Sequence, residues 1–353
     1  MHIAYPRLAS KLPLLEIAEL PTPLRRVSDP QGDVLIKHDG RAHHLYGGNK
    51  VRKLEYLLGQ ARSHGCTRVA TFGAAGSNHA TATAVHAQGA GLGCMNFLSR
   101  QRNTPWVAKN LKIQLQSNAQ IVYVKGHLDR CKQQAAQHLA DLKGRSWLIP
   151  MGGSSIAGSI GYVNAAMEFA QQLIDQALTP PDRIYVPLGT MGTAVGLAIG
   201  LQVAGLTMPV IAVRVVDDSV GSAPLARQLF NNTVRALRFL DREFPALKFD
   251  PNLLQIRHEQ LGPGYAAATA AGQSAVQHAS EFWQLNTETT YTGKTIAAVL
   301  QDRQAGHTTR PLYWATYTEP HPPLDEHDRV DLLPLPLRQY WSIDAGNSLS
   351  NNN

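Results

Sequence analysis

Short apolar runs alternating with amphipathic stretches predict an α/β fold with mainly parallel sheets flanked by helices. Two further observations support it. The chain has 353 residues, more than one average domain, which suits two lobes sharing a cleft. Small-residue loops also join the ends of predicted strands to the starts of predicted helices, as in parallel-sheet proteins.

Residues 34–37, 68–72, 94–98, 121–124, 147–149, 184–187 and 210–215 read as strands. Val51, Leu54, Leu57, Leu58 and Ala61 make one apolar face at a 3.6-residue period. Residues 80–90, 159–173 and 193–204 read as further helices. No internal repeat or long linker interrupts the pattern. Residues 321–347 begin Pro-rich and irregular, and read as an appendage to the core fold. Residues 350–353 are polar and expected to fray.

Composition excludes several classes. Hydrophobic residues make up 44% of the chain, ordinary for a globular protein. No apolar run reaches the roughly 18 residues a membrane-spanning helix needs. The first 21 residues lack the continuous apolar core of a signal peptide and read as part of the mature fold. Net charge is +7, but the basic residues are dispersed and aromatics are only 7%. That argues against a nucleic-acid partner and fits a basic surface or an anion-attracting cleft. Cys66, Cys94 and Cys131 are scattered, with neither metal-ligand spacing nor an even count for disulfides. A reducing, cytoplasmic setting and no metal site are expected.

Three motifs carry chemistry. Gly47-Gly48-Asn49-Lys50 stands just before the helix near Val51. The glycines permit close backbone approach to a ligand. A lysine at a helix start meets the positive end of the dipole, which lowers its pKa. Schiff-base chemistry requires such a lysine, although a solvated lysine after a turn gives the same string. The second motif, Gly76-Ser77-Asn78-His79, follows a strand and opens a helix, with Ser77 or Asn78 as cap. Its amides suit a carboxylate, and simple capping explains it equally well. In the third, Gly189-Thr190-Met191-Gly192-Thr193 follows the 184–187 strand and opens a helix, as a phosphate cradle does. No lysine follows Gly192, so a Walker loop is excluded. Gly189, Gly192 and Gly196, with Asp217 and Asp218 beyond the next strand, keep a nicotinamide dehydrogenase open from this motif alone.

Together these segments resemble the fold-type II pyridoxal phosphate enzymes, in particular the group containing D-cysteine desulfhydrase and 1-aminocyclopropane-1-carboxylate (ACC) deaminase. The likeness runs in order through Leu20–Leu24, Gly47–Glu55, Gly76–His79, Gly152–Ser155 with Gly161-Tyr162, Gly189–Thr193, Gly262–Tyr265 and Tyr291–Lys294. It spans residues 20–316. It implies a two-domain, tryptophan synthase beta-like fold. Residues 1–50 and 157–353 would form the large cofactor domain and 51–156 the small one, with the cofactor in the cleft and a homodimer as the assembly.

The resemblance also implies roles. Lys50 would hold pyridoxal 5'-phosphate as a Schiff base and shuttle the Cα proton. Asn78 would contact the cofactor's phenolic oxygen. Gly189, Thr190, Gly192 and Thr193 would hold its phosphate, and Thr292 would face its pyridine nitrogen. Ser77, with the amides of Asn78 and His79, would bind the carboxylate of a small amino-acid substrate. Tyr265 and Tyr291 would be acid-base or orienting groups. Cyclopropane deaminases resembling this chain carry glutamate where Thr292 stands. A neutral hydroxyl is expected to leave the pyridine nitrogen unprotonated, favouring β-elimination of thiolate over ring opening. The reading is a lyase or deaminase of D-cysteine type, with ACC deamination, or cofactor binding with weak catalysis, as alternatives.

Two segments depart from the pattern: Ala74 and Ala75 stand where the family has glycines, and a strand end near the C-terminus differs. Relatives show His-Thr-Gly-Gly at a strand end where this chain has Ala315-Thr316-Tyr317-Thr318. Tyr317 would be strained there if the glycine geometry were kept.

Overall fold

The computed structural model describes residues 5–319, 321–325 and 329–341. Residues 350–353, read above as frayed, lie outside these. In chain order the elements begin α1 (Pro6–Lys11), β1 (Leu24–Asp29), β2 (Gly32–His38), α2 (Lys50–Ser63), β3 (Arg68–Ala74), α3 (Asn78–Gly89), β4 (Gly93–Ser99), α4 (Pro105–Gln116), β5 (Gln120–Tyr123), α5 (His127–Leu142) and β6 (Trp147–Ile149). They continue α6 (Ile156–Asp175), β7 (Arg183–Leu188), α7 (Gly192–Val203), β8 (Val210–Arg214), α8 (Ala223–Leu240), β9 (Leu254–Arg257), α9 (Ala270–Trp283), α10 (Thr292–Gln304) and β10 (Pro311–Ala315). The mainly parallel α/β architecture is as expected, and each strand and helix read from the sequence is present to within a few residues at its ends. The chain divides into two compact units, Met1–Tyr56 with Ser154–Pro320, and Leu57–Gly153 with His321–Asn353.

The larger unit holds a six-stranded sheet in the order β1-β2-β10-β7-β8-β9. Only the β1–β2 hairpin is antiparallel. β8 and β10 are buried at every residue, as a sheet covered on both faces requires. Alternate side chains Tyr185, Ile211 and Val213 join Trp283, Ile296 and Tyr313 in one apolar cluster beneath α9 and α10. The intervening residues point to the other face, where α7 packs on β7 and β8. There α6 and α7 cross closely: a Cβ on Gly196 would stand 2.4 Å from the Ser159 carbonyl oxygen. A Cβ on Gly161 would stand 2.1 Å from the Arg52 carbonyl oxygen. Glycine at these positions lets α6 lie directly against α7 and α2.

A buried polar network ties α2 to this unit. Arg52 donates through Nε and Nη2 to Asp39 Oδ1 at 3.0 and 2.9 Å. Its Nη1 and Nη2 reach the two Glu168 oxygens at 3.0 and 2.9 Å. Lys37 also pairs with Glu168 and donates to the Thr22 carbonyl at 2.7 Å. Tyr162 and Trp314 donate to Asp39 Oδ2 at 2.6 and 2.7 Å. Two cations thus meet two carboxylates, with side chains from β2, α2, α6 and β10.

The smaller unit has a parallel sheet in the order β5-β4-β3-β6. Phe72 and Phe97 stack on one face with ring centroids 4.8 Å apart. Of the 321–353 segment, expected in the large domain, residues 330–341 group with this unit instead. Its 3-10 turns, Val330–Leu332 and Leu335–Tyr340, set Leu333, Leu337 and Tyr340 against Leu98, Val107 and Leu111. The Tyr340 hydroxyl donates to the Gln101 carbonyl at 2.7 Å and accepts from the Gln101 amide at 3.0 Å. The apolar face of α4 and β4 explains why the segment returns here.

Removing Arg52 strands the buried Asp39 carboxylate and leaves Glu168 with Lys37 alone, which typically costs about 3–5 kcal/mol. Arg52→Ala is expected to lower the urea midpoint accordingly. Arg52 and Lys37 hold the pKa values of Asp39 and Glu168 below their ordinary 3.8 and 4.5. Their contribution is therefore complete above those values and is lost as pH falls through the folded-state ones. The deficit of Arg52→Ala should shrink in acid.

Candidate active site

Lys50 is the first residue of α2, and the loop before it is fastened at both ends. The Gly48 amide donates to the Asp39 carbonyl at 2.8 Å, and the Asn49 amide to the Thr316 carbonyl at 3.1 Å. Gly48 has φ +88°, and a Cβ there would stand 3.0 Å from the Thr316 oxygen. The loop is thus wedged between the carboxyl ends of β2 and β10. Protein atoms crowd the Lys50 amine, and the lost hydration lowers its pKa to about 8. Burial is the cause of that shift.

The Gly189–Thr193 loop lies in the same unit. Met191 adopts a left-handed backbone with φ 66° at the start of α7 and offers that helix no side-chain cap of its own. A non-glycine residue held there marks a backbone constrained by its surroundings. Asn49 Nδ2 donates to Thr193 Oγ1 at 3.1 Å, joining the Lys50 loop to the cradle. Ser154 Oγ lies 2.7 Å from Thr190 Oγ1 and accepts from the Gly192 amide at 3.0 Å. Lys53 Nζ donates to Ser154 Oγ at 3.4 Å and would stand 3.1 Å from a Cβ on Gly192. Burial and the neighbouring Lys50 push the Lys53 pKa well down. Two crowded lysine amines beside a helix start are the environment a phosphate dianion relieves. Pyridoxal phosphate, an aldehyde bearing a phosphate, fits this donor set. Lys53 and Ser154 received no role from the sequence. The available signal was Lys53's place three residues after Lys50, on the same side of a helix.

Tyr265 and Tyr291 come together. Tyr291 donates to the Tyr265 hydroxyl at 2.9 Å, with the rings edge to face at 5.9 Å. Burial raises both phenol pKa values, and Tyr291 gains further from Tyr265. The Tyr291 ring would lie 3.6 Å from a Cβ on Gly189, which sets the pair beside the cradle. Lys294 Nζ donates to the Leu261 carbonyl at 2.7 Å and the Gly264 carbonyl at 3.4 Å. It thereby clamps the loop before Tyr265 to α10, explaining why the two motifs occur together. Thr292 is buried and bonded to Glu288: its Oγ1 accepts the Glu288 amide at 2.8 Å and lies 3.1 Å from Glu288 Oε1. Sequence reasoning missed Glu288, which sits outside every motif.

Ser77, Asn78 and His79 belong to the smaller unit. Ser77 caps α3, its Oγ accepting the Ala80 amide at 3.2 Å. Asn78 Oδ1 accepts from Asn110 Nδ2 at 2.9 Å. His79 is buried, with Nε2 3.1 Å from Thr71 Oγ1. Thr71 gives its own proton to the Ile149 carbonyl at 2.9 Å, so His79 Nε2 is the donor. Its ring is therefore packed beneath the helix start rather than presented there.

Tyr317 does not show the strain anticipated for it. The non-glycine residues with left-handed backbone among those described are Asn118, Ala177, Met191, Ala266 and Gln284. Tyr317 avoids that region and buries its ring, with Tyr46 close by.

Comparison with known proteins agrees with this geometry. A family model described as pyridoxal-phosphate dependent enzyme matches residues 15–311. The chain is 35% identical over 221 residues to a nocardicin C-9' epimerase from Nocardia uniformis subsp. tsuyamanensis, covering 60% of this chain and 66% of that one. It is 30% identical over 302 residues to a D-cysteine desulfhydrase from Klebsiella pneumoniae subsp. pneumoniae, covering 82% and 88%. The crystal structure of an ACC deaminase homologue superposes with a TM-score of 0.74 at 25% identity, over 89% of this chain and 94% of that one. The nicotinamide dehydrogenase alternative falls with these matches. No described helix is long and apolar enough to cross a membrane.

A pKa of about 8 instead of 10.5 leaves about a tenth of the Lys50 amine neutral at pH 7, roughly three hundred times the ordinary share. Acylation of Lys50 in cofactor-free protein, followed by peptide mass spectrometry, is expected to rise through pH 8 and level off above it. A rise continuing to pH 10 would mean a hydrated amine.

Proposed function

Because the chain belongs to the pyridoxal-phosphate dependent enzyme family and has its fold-type II architecture, we propose that it removes the β-substituent of a small amino acid, as a D-cysteine desulfhydrase does. The observation that carries the chemistry is the crowded Lys50 amine joined through Asn49 to the Gly189–Thr193 cradle. The desulfhydrase relative supports the choice of substrate. When bound, pyridoxal phosphate draws electrons away from the Cα of an attached amino acid.

The chain's own residues do the rest. Lys50 anchors the cofactor and, released by the substrate's amine, accepts the Cα proton. A depressed pKa leaves it able to act as that base near neutral pH. Thr190, Thr193, Lys53 and the amides around Gly189 and Gly192 hold the phosphate. Asn78 meets the cofactor's phenolic oxygen. Ser77, with the amides of Asn78 and His79, takes the substrate carboxylate at the start of α3. The Tyr265–Tyr291 pair, kept neutral by burial, orients the substrate and passes a proton. Hydrosulfide leaves Cβ with the electrons of its bond, and water completes release of pyruvate and ammonia. A homodimer working in the cytoplasm is the setting we propose.

Purified holoenzyme given D-cysteine is expected to release pyruvate and sulfide in equal amounts, more slowly with L-cysteine. Lys50→Ala should abolish both products and the visible band of the lysine-bound cofactor. Lys53→Met should weaken cofactor retention at least tenfold on dialysis while leaving the Lys50 attachment intact. A cofactor band that neither cysteine perturbs, with turnover of ACC instead, would overturn the substrate assignment and leave the cofactor reading standing.

A further inference from the structure

Glu288 is 3% exposed, yet among the described residues no cation pairs with it. Its carboxylate accepts the amides of Thr290, Tyr291 and Thr292 at 2.6, 2.9 and 2.9 Å. The remaining partner is the Thr292 hydroxyl, 3.1 Å from Oε1 and 2.9 Å from the Glu288 carbonyl oxygen. A hydroxyl has one proton and two lone pairs. The Thr292 proton goes to Glu288, and one lone pair takes the Glu288 amide. What Thr292 has left to offer is a single lone pair, beside which the buried Tyr313 hydroxyl also lies, so a group meeting it there has to be a donor able to compete with that phenol.

We propose that Glu288 is a positioning residue that orients Thr292 as an acceptor, so that the two together retain a proton on the cofactor's pyridine nitrogen. The proposal rests on the functional reading above and on the place the family resemblance gives Thr292, facing that nitrogen. It reverses the expectation that a threonine leaves the nitrogen bare. The carboxylate is present, one turn before the helix start, and acts through the hydroxyl. Buried charge supports this. Tyr265, Tyr291, Tyr313 and Tyr317 each have a raised phenol pKa, with the negative charge of Glu288 among the causes. A negative field with no cation in it favours the charged, protonated form of a ring nitrogen placed there.

The test uses holoenzyme reconstituted with pyridoxal phosphate carrying 15N in its ring. The 15N resonance of the wild type is expected at the protonated position. Glu288→Gln keeps an oxygen for the amides but loses the charge, and should move the resonance to the unprotonated position while the visible band persists. Glu288→Asp should restore it in part. Thr292→Val, which leaves Glu288 in place, should also move it, and serves if the glutamine variant fails to fold. A bound cofactor with an unprotonated nitrogen in the wild type overturns this inference alone. So does a resonance unmoved in Glu288→Gln, or in Thr292→Val. Failure of the wild type to attach cofactor at Lys50 overturns the underlying reading and this one with it.

Discussion

A guanidinium removed from water has to find its counter-charges within the protein, and Arg52 finds Asp39 and Glu168. That demand fixes the start of α2. Each carboxylate comes from a different part of the larger unit, and Tyr162 and Trp314 complete the Asp39 oxygens. Burying such charges is favourable only when nearly every donor and acceptor is matched, so the helix has little freedom to shift or rotate. Arg52 points to the far side of α2 from Lys50. The same rotation that satisfies Arg52 turns Lys50 and Lys53 toward the cradle. Gly161 contributes by letting α6 approach the Arg52 backbone. The site's precision thus derives from polar matching on one side of a helix whose other side bears the reactive amines.

The two ends of this unit's site carry opposite electrostatic character. Near α7, two crowded lysine amines and a helix start present positive potential. Near α10, Glu288 presents a buried carboxylate amid neutral phenols. The Tyr291 ring, close to Gly189, stands by the first of these ends, while its own amide binds Glu288 at the second. A flat ligand with an anionic substituent at one edge and a basic nitrogen at another matches such a polarity better than either a free phosphate or an apolar ring.

Much of this was legible in the sequence. Strand, small-residue loop and helix start could be read at 68–79 and 184–193, because glycine and hydroxyl residues there meet local backbone demands. The Lys50 motif was visible for the same reason, and the Tyr291 motif through the family resemblance. Other features depended on distant partners. Lys53 and Ser154 are 101 residues apart in sequence yet share a hydrogen bond. Glu288 precedes its motif and resembles any helix-capping acid. β1, β9 and β10 were passed over: β1 lies at a polar sheet edge, β9 is short, and β10 reads as a buried run without alternation. The smaller unit's use of residues 330–341 could not be foreseen, since nothing local in a Pro-rich segment specifies the apolar face that receives it.

That last segment has a consequence for biosynthesis. The larger unit is drawn from 1–56 and 154–320, and the smaller from 57–153 and 321–353. Each is interrupted by the other, so neither is whole when its first half leaves the ribosome. At about 5–20 residues per second, the α4–β4 face formed early in synthesis waits roughly ten to fifty seconds for Leu333, Leu337 and Tyr340 to arrive. During that interval Leu98, Val107 and Leu111 lack their native cover. The nascent chain therefore exposes an apolar surface on a schedule set by the order of its segments.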